Sequence, residues 1–111
     1  MSNKSTLGEF EVLVLSSVLA AGENAYGVTI HEEVEQLVPA SREVSLGSVY
    51  TTLERLEQKG YLQSWFGEPT AERGGRAKRF YKLEAAGGRV LLEALEPMRK
   101  ALDIVEGAWA L

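Results

Sequence analysis

The chain has no cysteine and a single histidine in 111 residues. Without thiols there is no disulfide framework and no thiolate nucleophile, a composition that fits a reducing, cytoplasmic setting. The lone imidazole, His31, cannot form a His-pair metal site and leaves little room for a nucleophile–base pair. Set among Glu32, Glu33 and Glu35, it reads as a surface residue. Long apolar runs are missing too. Nothing approaches the roughly 18 residues of a membrane span, and Met1-Ser2-Asn3-Lys4-Ser5 leads into no signal-peptide core. The close carboxylates Glu32 with Glu33 and Glu54 with Glu57 have no His, Cys or glycine-rich phosphate loop near them. They read as solvated helix faces, so no catalytic residue, metal or cofactor is expected.

A chain of this length is one small domain, with hydrophobic content (45%) and charged content (25%) ordinary for a soluble globular protein. The net charge of −4 argues against a nucleic-acid partner until its distribution is read. Residues 1–41 hold one Lys against six Glu, residues 42–83 eight cations against five Glu, and residues 84–111 three cations against five acids. Screening limits each charge to about 8–10 Å, so local excess outweighs the sum. Between residues 73 and 83 stand Arg73, Arg76, Lys78, Arg79 and Lys82 without one acid.

Apolar spacing predicts a helix over residues 7–21, through Phe10, Leu13, Val14 and Val18, with Gly22 as its stop. A second helix starts near Tyr26-Gly27, carries Ile30, Val34, Leu37 and Val38 on one face, and ends at Pro39. Ser45 is the expected N-cap of a third helix, which Gly60 terminates. Residues 61–66 and 79–83 are aromatic-rich strand candidates. The segment 67–78 between them, with Pro69, Gly74 and Gly75, completes a long-tipped hairpin. From Glu84 the pattern is helical again: Leu91, Leu95, Met98, Leu102, Val105 and Trp109 recur at alternating spacings of four and three, a heptad seam. Pro97 inside it predicts a kink or a break.

On the third helix, Leu46, Val49, Leu53 and Leu56 share one arc with Tyr50 at its edge. Gly47, Ser48, Thr51 and Arg55 lie opposite, with Thr52 at the margin. Small hydroxyl residues near a helix N-terminus let the backbone settle in the major groove, and the helix dipole favours a phosphate. Taken alone, Ser and Thr on an exposed face are ordinary filler, and a charge run is an ordinary solvated loop. Two short helices, a capped third and a basic hairpin in that order make a winged helix-turn-helix, which needs these parts to read duplex DNA. Arg73, Arg76, Lys78 and Arg79 straddle the glycine pair as a wing, although Arg79 and Lys82 have a competing role as partners of acids in the first two helices. The seam reads as a dimer contact that includes Phe10, against the alternative of packing on helix one of the same chain. Trp65 and Trp109 read first as core or interface filling.

The sequence resembles the PadR-like transcriptional regulators over most of its length. The carriers are Leu7-Gly8-Glu9-Phe10-Glu11-Val12-Leu13-Val14-Leu15, Ala25-Tyr26-Gly27-Val28-Thr29-Ile30 and Leu46-Gly47-Ser48-Val49-Tyr50. They continue in Leu53-Glu54-Arg55-Leu56-Glu57-Gln58-Lys59-Gly60-Tyr61-Leu62 and Gly74-Gly75-Arg76-Ala77-Lys78-Arg79-Phe80-Tyr81-Lys82-Leu83, running into Ala86-Gly87. Two positions depart from the common pattern: Thr51 replaces a proline, and Glu84 replaces a threonine at the start of the last helix. The resemblance implies a homodimeric repressor on a pseudo-palindromic double-stranded operator, often released by a small aromatic effector. The expected architecture is mainly α with a small β-hairpin: a winged helix-turn-helix domain over residues 5–83 and one C-terminal dimerisation helix over residues 84–111. The competing reading is an interaction module of the same frame, its basic hairpin docking an acidic protein.

Overall fold

The first helix, α1 (Glu9–Ala21), begins where the Gly8 N–H donates to Glu11 Oε1 at 2.9 Å, and it ends at Gly22, whose φ of 64° suits glycine. These bounds come from a computed structural model that describes residues 7–68 and 77–109. A 3-10 turn over Gly22–Asn24 leads to α2 (Gly27–Leu37), and Val38 is extended ahead of Pro39, as a residue before proline prefers. Ser45 caps α3 (Leu46–Gln58) by accepting from the Ser48 N–H at 3.0 Å. A Schellman motif closes it: Gly60 N–H donates to the Glu57 carbonyl, Tyr61 N–H donates to the Leu56 carbonyl, and Gly60 takes φ 85°.

Strands β1 (Leu62–Phe66) and β2 (Arg79–Leu83) pair antiparallel, from Leu62 opposite Leu83 to Phe66 opposite Arg79. The free edge of β2 is partly covered by the turn before α2. Tyr81 N–H donates to the Ala25 carbonyl, and Tyr26 bridges to Phe80. The hairpin is thereby fastened to the helices instead of standing on its turn alone. Mostly helical with this one hairpin, the architecture is the expected winged-helix arrangement.

One core joins Val14, Leu15, Ile30, Val34, Val49, Leu53 and Leu56 with Leu62 and Tyr81 of the hairpin. Leu15, absent from the face expected of the first helix, is wholly buried, whereas Leu13 is only half-buried. Helix α4 (Ala85–Trp109) enters this core through Leu91 and then leaves it. A break at Pro97 does not occur. The helix runs through an exposed stretch there, where water can reach the carbonyl left without a donor.

Gly87 lets α4 close on the hairpin, since a Cβ at that position would stand 2.3 Å from the Tyr61 carbonyl oxygen and 2.9 Å from Leu83. Gly107, near the other end of α4, has open space around it. Gly87→Ala is therefore expected to lower unfolding free energy by about 1–3 kcal/mol through overpacking. Gly107→Ala should raise it by about 0.5–1 kcal/mol through helix propensity. Urea unfolding of the two variants beside wild type checks both signs.

Candidate nucleic-acid interface

Helix α3 buries Val49, Leu53 and Leu56 completely and turns Gly47, Ser48 and Thr51 outward. No charged residue stands among positions 45–53. The outward hydroxyls are already half committed. Ser48 Oγ donates to the Ser45 carbonyl at 2.8 Å, and Thr51 Oγ1 donates to the Gly47 carbonyl at 3.0 Å. Their lone pairs remain, so both oxygens are set to accept, as from the exocyclic amino group of adenine or cytosine. Tyr50, half-exposed, lays its ring over Gly27, where a Cβ would meet the hydroxyl at 2.3 Å. Glycine at the head of α2 is what allows that approach.

The last turns of α3 are tied to α1 through a buried acid. Glu11, 8% exposed, accepts from Gly8 N–H through Oε1 and from Arg55 Nε (3.3 Å) and Lys59 Nζ (3.0 Å) through Oε2. Burial pushes its pKa up, but the Gly8 hydrogen bond and the two cations together outweigh burial and hold it below the ordinary 4.5. Arg55 also reaches Thr52 Oγ1 at 3.5 Å.

The hairpin meets α3 through a second polar cluster. Arg79 donates to Glu57 Oε1 at 2.8 Å and to Ser64 Oγ at 2.9 Å, and Ser64 Oγ donates to the other Glu57 oxygen. On the opposite face of the hairpin, Trp65 stacks on Phe80 and Phe80 meets Tyr26 edge-on. The Lys78 ammonium lies 4.3 Å above the Tyr26 ring. Between this aromatic row and the end of α1 runs a groove of about 620 Å3, lined by Val18, Leu19, Glu23, Trp65, Tyr81 and Lys82 among others.

Residues 14–93 match the transcriptional regulator PadR-like family. The chain belongs to that family. Members of the PadR-like family are transcriptional regulators, not enzymes. The fold is similar to that of a PadR family transcription regulator from Clostridium difficile R20291, at 19% identity and TM-score 0.66, covering 90% of this chain and 98% of that one. It is also similar to a PadR family regulator from Eggerthella lenta DSM 2243, at 20% identity and TM-score 0.63, covering 90% and 82%. An E. coli MarR variant solved with operator DNA aligns at 22% identity and TM-score 0.53, covering 81% of this chain and 54% of that one. Among curated sequences, an uncharacterised Lysinibacillus sphaericus protein is 22% identical over 99 residues, 89% of this chain and 86% of its own length.

In this PadR-like chain Ser45, Ser48, Tyr50 and Thr51 are brought together at the exposed head of α3, and Arg55 lies half-exposed further along it. Thr52 is a correction: it is 3% exposed, because positions 49, 52, 53 and 56 form one stripe wider than the apolar arc alone. Arg73 and Arg76 lie outside the described residues, whereas Lys78 stands over Tyr26 at the loop end of the hairpin. Arg79 does pair with an acid, but with Glu57 of α3 and not with one of the first two helices. Leu91 is the second correction. At 4% exposure it serves the chain's own core, drawn in by the close seat of Gly87 one turn earlier. Phe10 is partly buried against the same core, while Leu95, Met98, Leu102, Val105 and Trp109 are exposed. His31 is half-buried, not a plain surface residue, with its Nε2 2.7 Å from the Val44 carbonyl.

Sequence reasoning missed Glu11. Its signal was present, since Glu11 precedes Val14, Leu15 and Val18 at helical spacing and so falls on the buried stripe. A carboxylate held below its usual pKa stabilises fully above the ordinary 4.5 and loses that contribution as pH falls through the lowered value. Glu11→Gln should therefore melt below wild type at pH 7, with the gap narrowing as pH falls from about 5 towards 3. Melting curves across that range measure it; a gap independent of pH would contradict the ionic role of Glu11.

Proposed function

We propose that the protein is a homodimeric repressor that reads a pseudo-palindromic operator with α3 and steadies itself on phosphate through the hairpin. The observation that carries this reading is the head of α3. It is capped by Ser45, free of charge over its first two turns, and presents Ser48 and Thr51 to solvent. Tyr50 borders that surface. Arg55 and Lys78, with Arg73, Arg76 and Arg79, are the cations assigned to the duplex. Phosphate contact makes such binding strongly salt-dependent.

Residues 5–83 form the reading unit in this proposal and residues 84–111 the pairing helix. Support for pairing comes from α4. Leu92, Leu95, Met98, Leu102, Ile104, Val105 and Trp109 are all exposed on one helix, a larger apolar surface than a monomer ordinarily leaves in water. Two copies related by a two-fold axis would set their α3 helices about one DNA turn, roughly 34 Å, apart. Release by a small aromatic effector is the finer part of the proposal. The groove beside Trp65 is large and apolar enough to receive one. The setting is the cytoplasm, where an operator is within reach.

A gel shift with the promoter fragment of the protein's own gene tests the proposal. A retained inverted repeat with affinity falling as salt rises is expected, and no retention at low salt would favour an acidic protein partner instead. Arg76→Ala with Lys78→Ala should flatten the log–log salt slope by up to about two units, one for each phosphate no longer neutralised. Met98→Glu with Val105→Glu should shift the sedimentation coefficient from dimer to monomer. An unchanged coefficient would remove α4 as the pairing helix.

A further inference from the structure

We infer that Glu11 is a positioning residue for DNA recognition: from α1 it aims the guanidinium of Arg55 outward along the reading surface without touching the duplex itself. The inference rests on α3 being the reading helix. It goes beyond that reading by assigning a specificity-setting task to a buried acid on another element.

The geometry of the guanidinium points to this. Arg55 has two hydrogen-bonding edges, one carrying Nε and Nη2 and the other carrying the two Nη groups. The first edge is taken by the protein: Nε donates to Glu11 Oε2 at 3.3 Å, and Nη2 approaches Thr52 Oγ1 at 3.5 Å. Both anchors are fixed. Glu11 is 8% exposed, with its other oxygen bound to the Gly8 N–H, and Thr52 is buried in the α3 stripe. Nη1 has no hydrogen-bond partner among the described residues, and the side chain as a whole is 49% exposed. What remains without a partner among the described residues is the two-pronged end, the shape that fits guanine O6 and N7 or a pair of phosphate oxygens.

An arginine on a solvated helix face normally loses much rotamer freedom on docking, and one already held in place loses less. Glu11 therefore supplies preorganisation. The local charge agrees, since one carboxylate faces two cations, Arg55 and Lys59, so the corner keeps a net positive charge for an anion. A neutralising role would require the acid to cancel the cations, and it does not.

The test uses the full-length protein and the promoter duplex that wild type retains. Glu11→Asp keeps the charge but draws the carboxylate back by one methylene. It should weaken binding about tenfold, the scale of one well-placed Arg contact. In an Arg55→Ala background the same change should cost less than about twofold, because nothing is left to aim. Arg55→Lys keeps the charge and loses the edge-on grip, so it should fall to about the affinity of Arg55→Ala. Melting curves taken beside the binding assays show that each variant is folded at the assay temperature.

A loss from Glu11→Asp that persists undiminished in the Arg55→Ala background would reduce Glu11 to a structural tie and overturn the inference. So would tighter binding by Glu11→Asp, or an Arg55→Lys variant with wild-type affinity, a readout that stands even if the Glu11 variants do not fold. A wild type that retains no duplex fails the proposed function itself, a result distinct from a wild type that binds and is indifferent to Glu11.

Discussion

Burial of one face of α3 constrains everything the protein can present. Val49, Leu53 and Leu56 are wholly shielded from water by a core that also holds Leu15, Ile30 and Val34. Each such side chain contributes about 1.5–3 kcal/mol on burial, so rotating the helix to hide Ser48 and Thr51 instead would forfeit several kcal/mol. The outward face follows from the inward one. Caps at both ends, Ser45 and the Gly60 Schellman motif, then fix where that face begins and stops.

Electrostatics complete the picture in an uneven way. The chain is acidic overall, yet α3 starts with two uncharged turns. Two cations assigned to DNA from the sequence also have internal work: Arg55 on Glu11 and Arg79 on Glu57. A solvent-accessible pair such as Arg79 with Glu57 is worth only a fraction of a kcal/mol to about 1 kcal/mol. Arg79, 43% exposed, can thus exchange its partner, whereas Arg55 answers to a buried acid and is oriented more than it is held back.

Much of the fold was legible because its signals are local. Gly22, Pro39, Ser45 and Gly60 act through backbone chemistry that needs no tertiary context, and each marks the boundary expected of it. The strand candidates 61–66 and 79–83 differ from the observed strands by one residue, Tyr61. What escaped was non-local. Thr52 is polar by type but sits three residues after Val49 and four before Leu56, so geometry buries it. Leu91 belongs to the heptad by spacing, yet the close approach at Gly87 gives it to the intrachain core. Glu11 drew no role from the sequence, because its partners Arg55 and Lys59 stand 44 and 48 positions away. Of the kink or break expected at Pro97, the break is absent, since the helix continues through an exposed stretch where water reaches the freed carbonyl.

The uncovered stripe on α4 and the outward head of α3 together make one claim, that two identical surfaces read one duplex. Hydroxyl-radical and methylation footprinting of the retained operator tests it most directly. The account predicts two protected major-groove patches on one side of the duplex, their centres about one helical turn apart. A single patch, or protection confined to the minor groove, would contradict it.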